Sequence, residues 1–136
     1  MSIELWSVIA TGVMMWMSIA LQQFQLDIKA GIGFALSNRD TAPPPSPMQD
    51  RMMRAVNNQA HAAVVWVPLV FVQQMTGISN DLTYWAALAM IVSRVLYFPL
   101  YAIGAVPFRS LSWMLFFVAA PVFTFALLTN LGAAAQ

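Results

Sequence analysis

This 136-residue sequence contains no cysteine, a single histidine and few charges. The absence of cysteine excludes disulfides, thiolate metal sites and a cysteine nucleophile, and because His61 is the lone imidazole no protein metal site is expected. Charged residues make up 8% of the chain, against roughly 25% in soluble domains, whereas 60% of residues are hydrophobic. The net charge of +1 gives no indication of nucleic-acid binding, and none is expected. The composition therefore predicts a small, single-domain integral membrane protein.

Four apolar stretches are each long enough to cross a bilayer, which takes about 20 helical residues. We predict spans at about 3–26, 51–76, 82–103 and 108–131, so that residues 1–136 form one all-α, integral membrane four-helix bundle. The turns between the last three spans are short and force antiparallel neighbours. Asn80 or Asp81 is expected to cap the third of these helices.

The distribution of charge indicates a topology. Five basic residues fall at the end of the bundle that carries the long connection 28–50, namely Lys29, Arg39, Arg51, Arg54 and Arg109. Glu4 and Asp81 lie at the opposite end. The positive-inside rule then places the 28–50 loop in the cytoplasm and both termini outside. The proline-rich run 43–47 in this loop favours polyproline II, either as a plain surface loop or as a semi-rigid cap over the bundle end.

Polar side chains recur at helical spacing inside two of the spans. The two sets are Arg51, Arg54, Asn58 and His61 in the second span, and Arg94, Tyr97 and Tyr101 in the third. Steps of three and four residues put the members of each set on one helix face. Ionisable groups at membrane depth are costly, and they indicate by default a functional site or a structural pairing.

Both polar sets cover the same depth, measured from the loop end of the bundle, because the two spans are antiparallel. We predict that they face each other as a cationic pocket with Arg109 at its mouth. Acidic partners are few at that depth, so a ligand with carboxylates would suit the forked guanidinium groups. Alternatives remain open: Arg51 and Arg54 can extend to phospholipid headgroups, Arg94 can pair with helix carbonyls, and His61 can be a hydrogen-bonded packing residue.

The segment 51–58, Arg-Met-Met-Arg-Ala-Val-Asn-Asn, resembles the second-helix motif of the MAPEG family, the membrane-associated proteins in eicosanoid and glutathione metabolism. The family pattern is Arg-x-x-Arg-Ala-x-x-Asn-x-x-Glu. Segment 31–40 is similar to the loop of a bacterial branch, segment 94–101 to the third-helix motif, and segment 109–113 to the start of the fourth helix. The resemblance therefore covers nearly the whole chain in the right order.

This resemblance implies a homotrimer of four-helix subunits, surrounded by membrane lipids in a bacterial inner membrane, with glutathione held between neighbouring subunits. It implies a glutathione-dependent transferase or peroxidase acting on lipophilic electrophiles. Arg109 matches the arginine that activates the thiol of glutathione. The implied contacts to the rest of glutathione are Arg51, Arg54, Asn58, Arg94, Tyr97 and Tyr101.

One candidate ligand-binding position departs from the family pattern. His61 stands where the family has the Glu that pairs with the α-amino group of glutathione. Loss of one side of a buried charge pair costs about 2–5 kcal/mol. A second interpretation is therefore a non-catalytic membrane subunit or a lipid-binding protein that retains the MAPEG fold, alone or within a larger membrane complex.

Overall fold

The computed structural model describes residues 1–40 and 43–134. Its elements are α1 Ile3–Ala30, α2 Ile32–Ala35, α3 Pro47–Thr76, α4 Asp81–Ile103 and α5 Val106–Ala134. The helices α1, α3, α4 and α5 are each long and apolar enough to cross a membrane. The predicted all-α, four-helix membrane bundle is thereby confirmed, with helices that extend a few residues beyond the predicted spans.

Side-chain caps fix where the second and third long helices begin. α3 starts at Pro47, four residues before the predicted boundary at 51, because Ser46 Oγ accepts the Gln49 N–H at 3.2 Å and proline suits the first helical turn. At the start of α4, Asn80 accepts the Thr83 N–H at 3.1 Å, while the Asn80 N–H donates to Thr83 Oγ1 at 3.1 Å. The predicted cap at Asn80 is confirmed as a reciprocal capping box.

The predicted loop 28–50 is shorter than expected and contains the four-residue helix α2. Among the described residues, α2 packs only against α1. Lys29 Nζ donates to the Pro44 carbonyl at 2.9 Å, and the Arg39 guanidinium lies 3.4 Å from the Asp27 carboxylate. These contacts hold the connection against the end of α1. Positions 41–42 of this loop, and positions 135–136 at the end of the predicted domain, lie outside the described residues.

The main core lies between α1, α3, α4 and α5. Trp66, Met90 and Phe123 are each 0% exposed. The Trp66 and Phe123 rings have centroids 4.8 Å apart, and Trp66 Nε1 donates to Ser7 Oγ at 2.7 Å. This packing joins α1, α3 and α5 at mid-bundle. In the half of the bundle nearer the long connection, a second buried cluster contains Met52, Tyr97 and other residues of α3 and α4.

Glu4 lies at the predicted end of the bundle, but inside it rather than on the surface. Its side chain is 1% exposed and accepts a hydrogen bond from Thr83 Oγ1 at 2.8 Å. A longer contact of 3.5 Å comes from Ser79 Oγ. Apolar length alone gave no sign of this contact, which ties the start of α1 to the start of α4.

Candidate functional site

Arg94 lies at the centre of the polar part of the bundle and is 0% exposed. Its Nη1 donates to Gln59 Oε1 at 3.0 Å and to Asn58 Oδ1 at 3.4 Å. Its Nη2 donates to Ser93 Oγ at 2.7 Å. Gln59 also returns a hydrogen bond, since its Nε2 donates to the Arg94 carbonyl at 3.1 Å. The guanidinium is thus held by neutral oxygens of α3 and α4.

Two aromatic rings complete the surroundings of Arg94. Its guanidinium carbon lies 5.1 Å from the centroid of Tyr97 and 5.0 Å from that of Phe116. A cation over a ring face is stabilised by the ring quadrupole. Arg94 is therefore paired within the protein, which agrees with the structural alternative given for it above. Its guanidinium partners are side-chain oxygens, however, and not the helix carbonyls that this alternative named.

A polar groove of about 430 Å³ opens beside this buried cluster, between the loop ends of α3, α4 and α5. It is lined by Asn58, Tyr97, Tyr101, Arg109, Ser110, Trp113 and Met114. The Tyr97 and Tyr101 rings have centroids 5.4 Å apart, and the Arg109 guanidinium carbon lies 4.5 Å from the Tyr101 centroid. Four predicted site residues from three helices are thus brought together.

The charge of the polar groove is positive. Among the described residues that line it, Arg109 is the charged one, and no carboxylate is present. Asn58 connects the groove to the buried cluster, because its Oδ1 accepts from Arg94 while its side chain borders the groove. The groove can therefore offer a cation, an amide and two phenols to an anionic ligand.

Arg51 lies at the edge of this site rather than in the groove. Its Nε donates to the Ala102 carbonyl at 3.1 Å, at the C-terminal end of α4. The C-terminal end of α4 favours a cation because it is the negative end of the helix dipole. Gly104, with φ 80, follows that helix end, and a Cβ built there would lie 3.5 Å from Arg51 Nε. Arg51 thus fastens the start of α3 to the end of α4.

Arg54 and His61 do not join the groove formed within one chain. Both side chains are exposed on the outer surface of α3. Of the residues predicted for one pocket, Asn58, Tyr97, Tyr101 and Arg109 line one groove, while Arg94 is buried and Arg51 is bonded to the end of α4. Arg54 and His61 face outward from this groove.

A second, apolar groove of about 570 Å³ runs along the outer surface between α4 and α5. It extends from Trp85 near the start of α4 to Phe108 near the start of α5. Met114 borders both this groove and the polar one. A polar and an apolar surface therefore meet at one side chain.

Several residues of the site were missed from sequence. Gln59 is one of them, and its spacing from two alanines could have indicated that it is buried. Ala55, Gln59 and Ala62 lie four and three residues apart on one helix face, and they are 0%, 1% and 0% exposed. A polar residue on an otherwise apolar helix face indicates a buried partner. Trp113 ends the segment 109–113 that resembles the family but was given no role in the site, and no pattern marked Met114.

The fold is that of an integral membrane protein: a bundle of four membrane-capable helices with a buried arginine and a cationic groove at one end. A model of the MAPEG family matches residues 3–129, which is nearly the whole chain. The chain therefore belongs to the MAPEG family. Comparisons with curated proteins and with solved structures found no match.

Proposed function

We propose that the polar groove binds glutathione and that the protein is a glutathione-dependent transferase or peroxidase acting on lipophilic electrophiles. The observation that carries the proposal is the position of Arg109, whose guanidinium carbon lies 4.5 Å from the Tyr101 centroid in a groove whose described lining residues include no carboxylate. Family membership supports it, since the motif residues Asn58, Tyr97 and Tyr101 line the same groove.

The proposed chemistry needs a thiolate beside a membrane-accessible surface. A free thiol has a pKa near 8.5, and a neighbouring cation favours its ionised form. In the transferase reaction the thiol proton leaves to solvent, and the sulfur forms a bond to the electrophilic carbon. The leaving group departs with the electron pair of the bond that breaks. The role of Arg109 is to stabilise the sulfur anion before that step.

The two grooves suit two different reactants. Their volumes, about 430 and 570 Å³, fall within the range of roughly 300–1,000 Å³ that is common for small-molecule sites. The apolar groove opens along the membrane-spanning surface, so a lipophilic electrophile can reach Met114 from the bilayer. Outward-facing Arg54 and His61 suit a site that a neighbouring copy completes, as the predicted homotrimer requires.

The test is thiol conjugation by the purified protein in proteoliposomes, with glutathione and 1-chloro-2,4-dinitrobenzene as substrates. Removing one group that stabilises a developing anion lowers kcat by about 10²–10³-fold, so Arg109→Gln is expected to lose conjugation with an unchanged melting temperature. Arg39→Gln, which removes an arginine from the first connection, is the matched control and should retain activity. Absence of glutathione-dependent conjugation by the wild-type protein contradicts the proposal.

A second candidate, a non-catalytic or lipid-binding membrane protein, is favoured by one observation. The described residues that line the polar groove include no carboxylate for the ammonium group of glutathione, and His61 stands at the position of the family Glu. The discriminating variant is His61→Glu. If glutathione raises the melting temperature of His61→Glu but not of the wild type, the native ligand is not glutathione and the second candidate holds.

A further inference from the structure

The protein itself fixes the orientation of the Asn58 amide. The Arg94 guanidinium carries only N–H donors, so the side-chain atoms that bond to it must be acceptors. Gln59 presents Oε1 to Arg94 Nη1 at 3.0 Å, and its Nε2 donates to the Arg94 carbonyl at 3.1 Å. Asn58 presents Oδ1 to the same Nη1 at 3.4 Å. The other polar atom of Asn58, Nδ2, is a donor, and it is the one that remains for a ligand in the polar groove.

The tyrosine rings of the polar groove already contact cations of the protein. The Arg94 guanidinium carbon lies 5.1 Å from the Tyr97 centroid, and that of Arg109 lies 4.5 Å from the Tyr101 centroid. An aromatic face attracts a cation through its quadrupole, and a guanidinium over that face occupies the position that a ligand ammonium would take. The two tyrosines therefore bring positive charge to the groove.

The remaining polar lining of the groove carries no negative charge. Ser110 Oγ donates to a carbonyl of its own helix at 3.1 Å, so it offers a ligand a neutral acceptor. The Trp113 ring stacks on Phe117, with centroids 4.9 Å apart. Asp50, the acidic residue of α3, lies eight residues before Asn58, which is about 12 Å along the helix axis. The described lining residues therefore offer a ligand positive charge and neutral groups, but no anion.

We propose that the polar groove recognises a thiol ligand through its anionic groups and makes no contact with its amine. The thiolate lies beside Arg109, and a carboxylate accepts a hydrogen bond from Asn58 Nδ2. An ammonium in the groove would be a further cation beside Arg94 and Arg109, without a partner. Asn58 is therefore the specificity-determining residue, and Arg94 is its positioning residue. The inference rests on the proposed function, and it adds that thiol carboxylates with an acylated or absent amine bind as well as glutathione.

Two derivatives of glutathione separate these charges. N-Acetylglutathione keeps both carboxylates and lacks the ammonium, whereas glutathione diethyl ester keeps the ammonium and lacks both carboxylates. Binding of each thiol to the wild-type protein in detergent is measured by isothermal titration calorimetry at neutral pH under reducing conditions. We expect N-acetylglutathione to bind within about threefold of glutathione. The diethyl ester should bind about 10–150-fold more weakly, which is the range that loss of a hydrogen bond to a charged group gives.

The possible results separate this inference from the proposed function. If glutathione binds and N-acetylglutathione binds more weakly than expected, the inference is overturned while the proposed function stands, because a carboxylate from outside the described groove then holds the ammonium. A diethyl ester that binds as tightly as glutathione would also overturn it. If none of the three thiols binds, the proposed function itself fails and the inference fails with it.

Asn58→Asp tests the amide directly. One carboxylate oxygen can accept from Arg94, and the other then presents negative charge to the groove in place of a donor. This variant should prefer glutathione over N-acetylglutathione by about tenfold. Asn57→Asp is the matched control and should keep the wild-type order of affinities, since Asn57 is exposed on α3 and is not among the described lining residues. A folded Asn58→Asp protein that keeps the wild-type order would contradict the role of Asn58. If that variant does not fold, the ligand series on the wild type still decides.

Discussion

Loss of the Gln59 side chain should destabilise the buried polar cluster around Arg94. Its side chain is 1% exposed and makes two hydrogen bonds to Arg94, one to Nη1 at 3.0 Å and one from its own amide to the carbonyl at 3.1 Å. Gln59→Leu keeps the approximate volume but removes both. A hydrogen bond to a charged group contributes about 1.5–3 kcal/mol and a neutral one about 0.5–1.5 kcal/mol, so the free energy of unfolding should fall by about 2–4 kcal/mol.

The loss is measured by equilibrium unfolding in mixed detergent micelles. Gln73→Leu is the matched control, because the hydrogen bonds of buried Gln73 are both neutral: its Nε2 donates to the Ile78 carbonyl at 2.6 Å, and its Oε1 accepts from Gln74 Nε2. Because Gln74 is exposed, the second of these bonds adds little, and the control should lose about 1–2 kcal/mol of the free energy of unfolding. Gln59→Glu retains an acceptor for Arg94 and should recover part of the stability. If Gln59→Leu loses no more than Gln73→Leu, then Gln59 is not a principal support of Arg94.

Three further substitutions test contacts that position the helices, each by the melting temperature and the free energy of unfolding in detergent. Ser7→Ala leaves the Trp66 indole N–H without its acceptor and should cost about 1–3 kcal/mol; unchanged stability would show that the bond is dispensable. Asn80→Ala removes the capping box of α4 and should cost about 1 kcal/mol, whereas a neutral result would mean that packing alone sets the start of α4. Gly104→Ala places a side chain at φ 80 and should cost about 1–2 kcal/mol, with a stabilised variant excluding that strain.

The bundle could be predicted from sequence because membrane helices need mainly length and apolarity. The cap at Asn80 could also be predicted from sequence, because a polar residue just before an apolar helix has few roles besides capping. Part of the groove was also accessible: Tyr97 and Tyr101 stand four residues apart, which puts them on one face of α4, and the structure brings them to one groove with Asn58 and Arg109.

Helix rotation could not be predicted from spacing. Arg54, Asn58 and His61 share a helical face, but nothing in that pattern says which neighbour the face meets. Successive residues differ by about 100° around a helix, so Gln59 points into the core while Asn58 reaches the groove. Arg54 and His61 lie on the outer side of the same face. Only the packing of α3 against α4 determines that Arg94 is paired from within the chain rather than left for a ligand.

The ionisation of bound glutathione tests the proposed chemistry at its first step. Glutathione is added at neutral pH to the purified protein in detergent, and the ultraviolet difference spectrum is recorded for the thiolate band, with S-methylglutathione as the control that cannot ionise. The proposed role of Arg109 predicts a thiolate band in the wild type, its loss in Arg109→Gln, and its retention in Arg39→Gln. A wild-type protein that binds glutathione and shows no thiolate band, or a band unchanged by Arg109→Gln, contradicts that role.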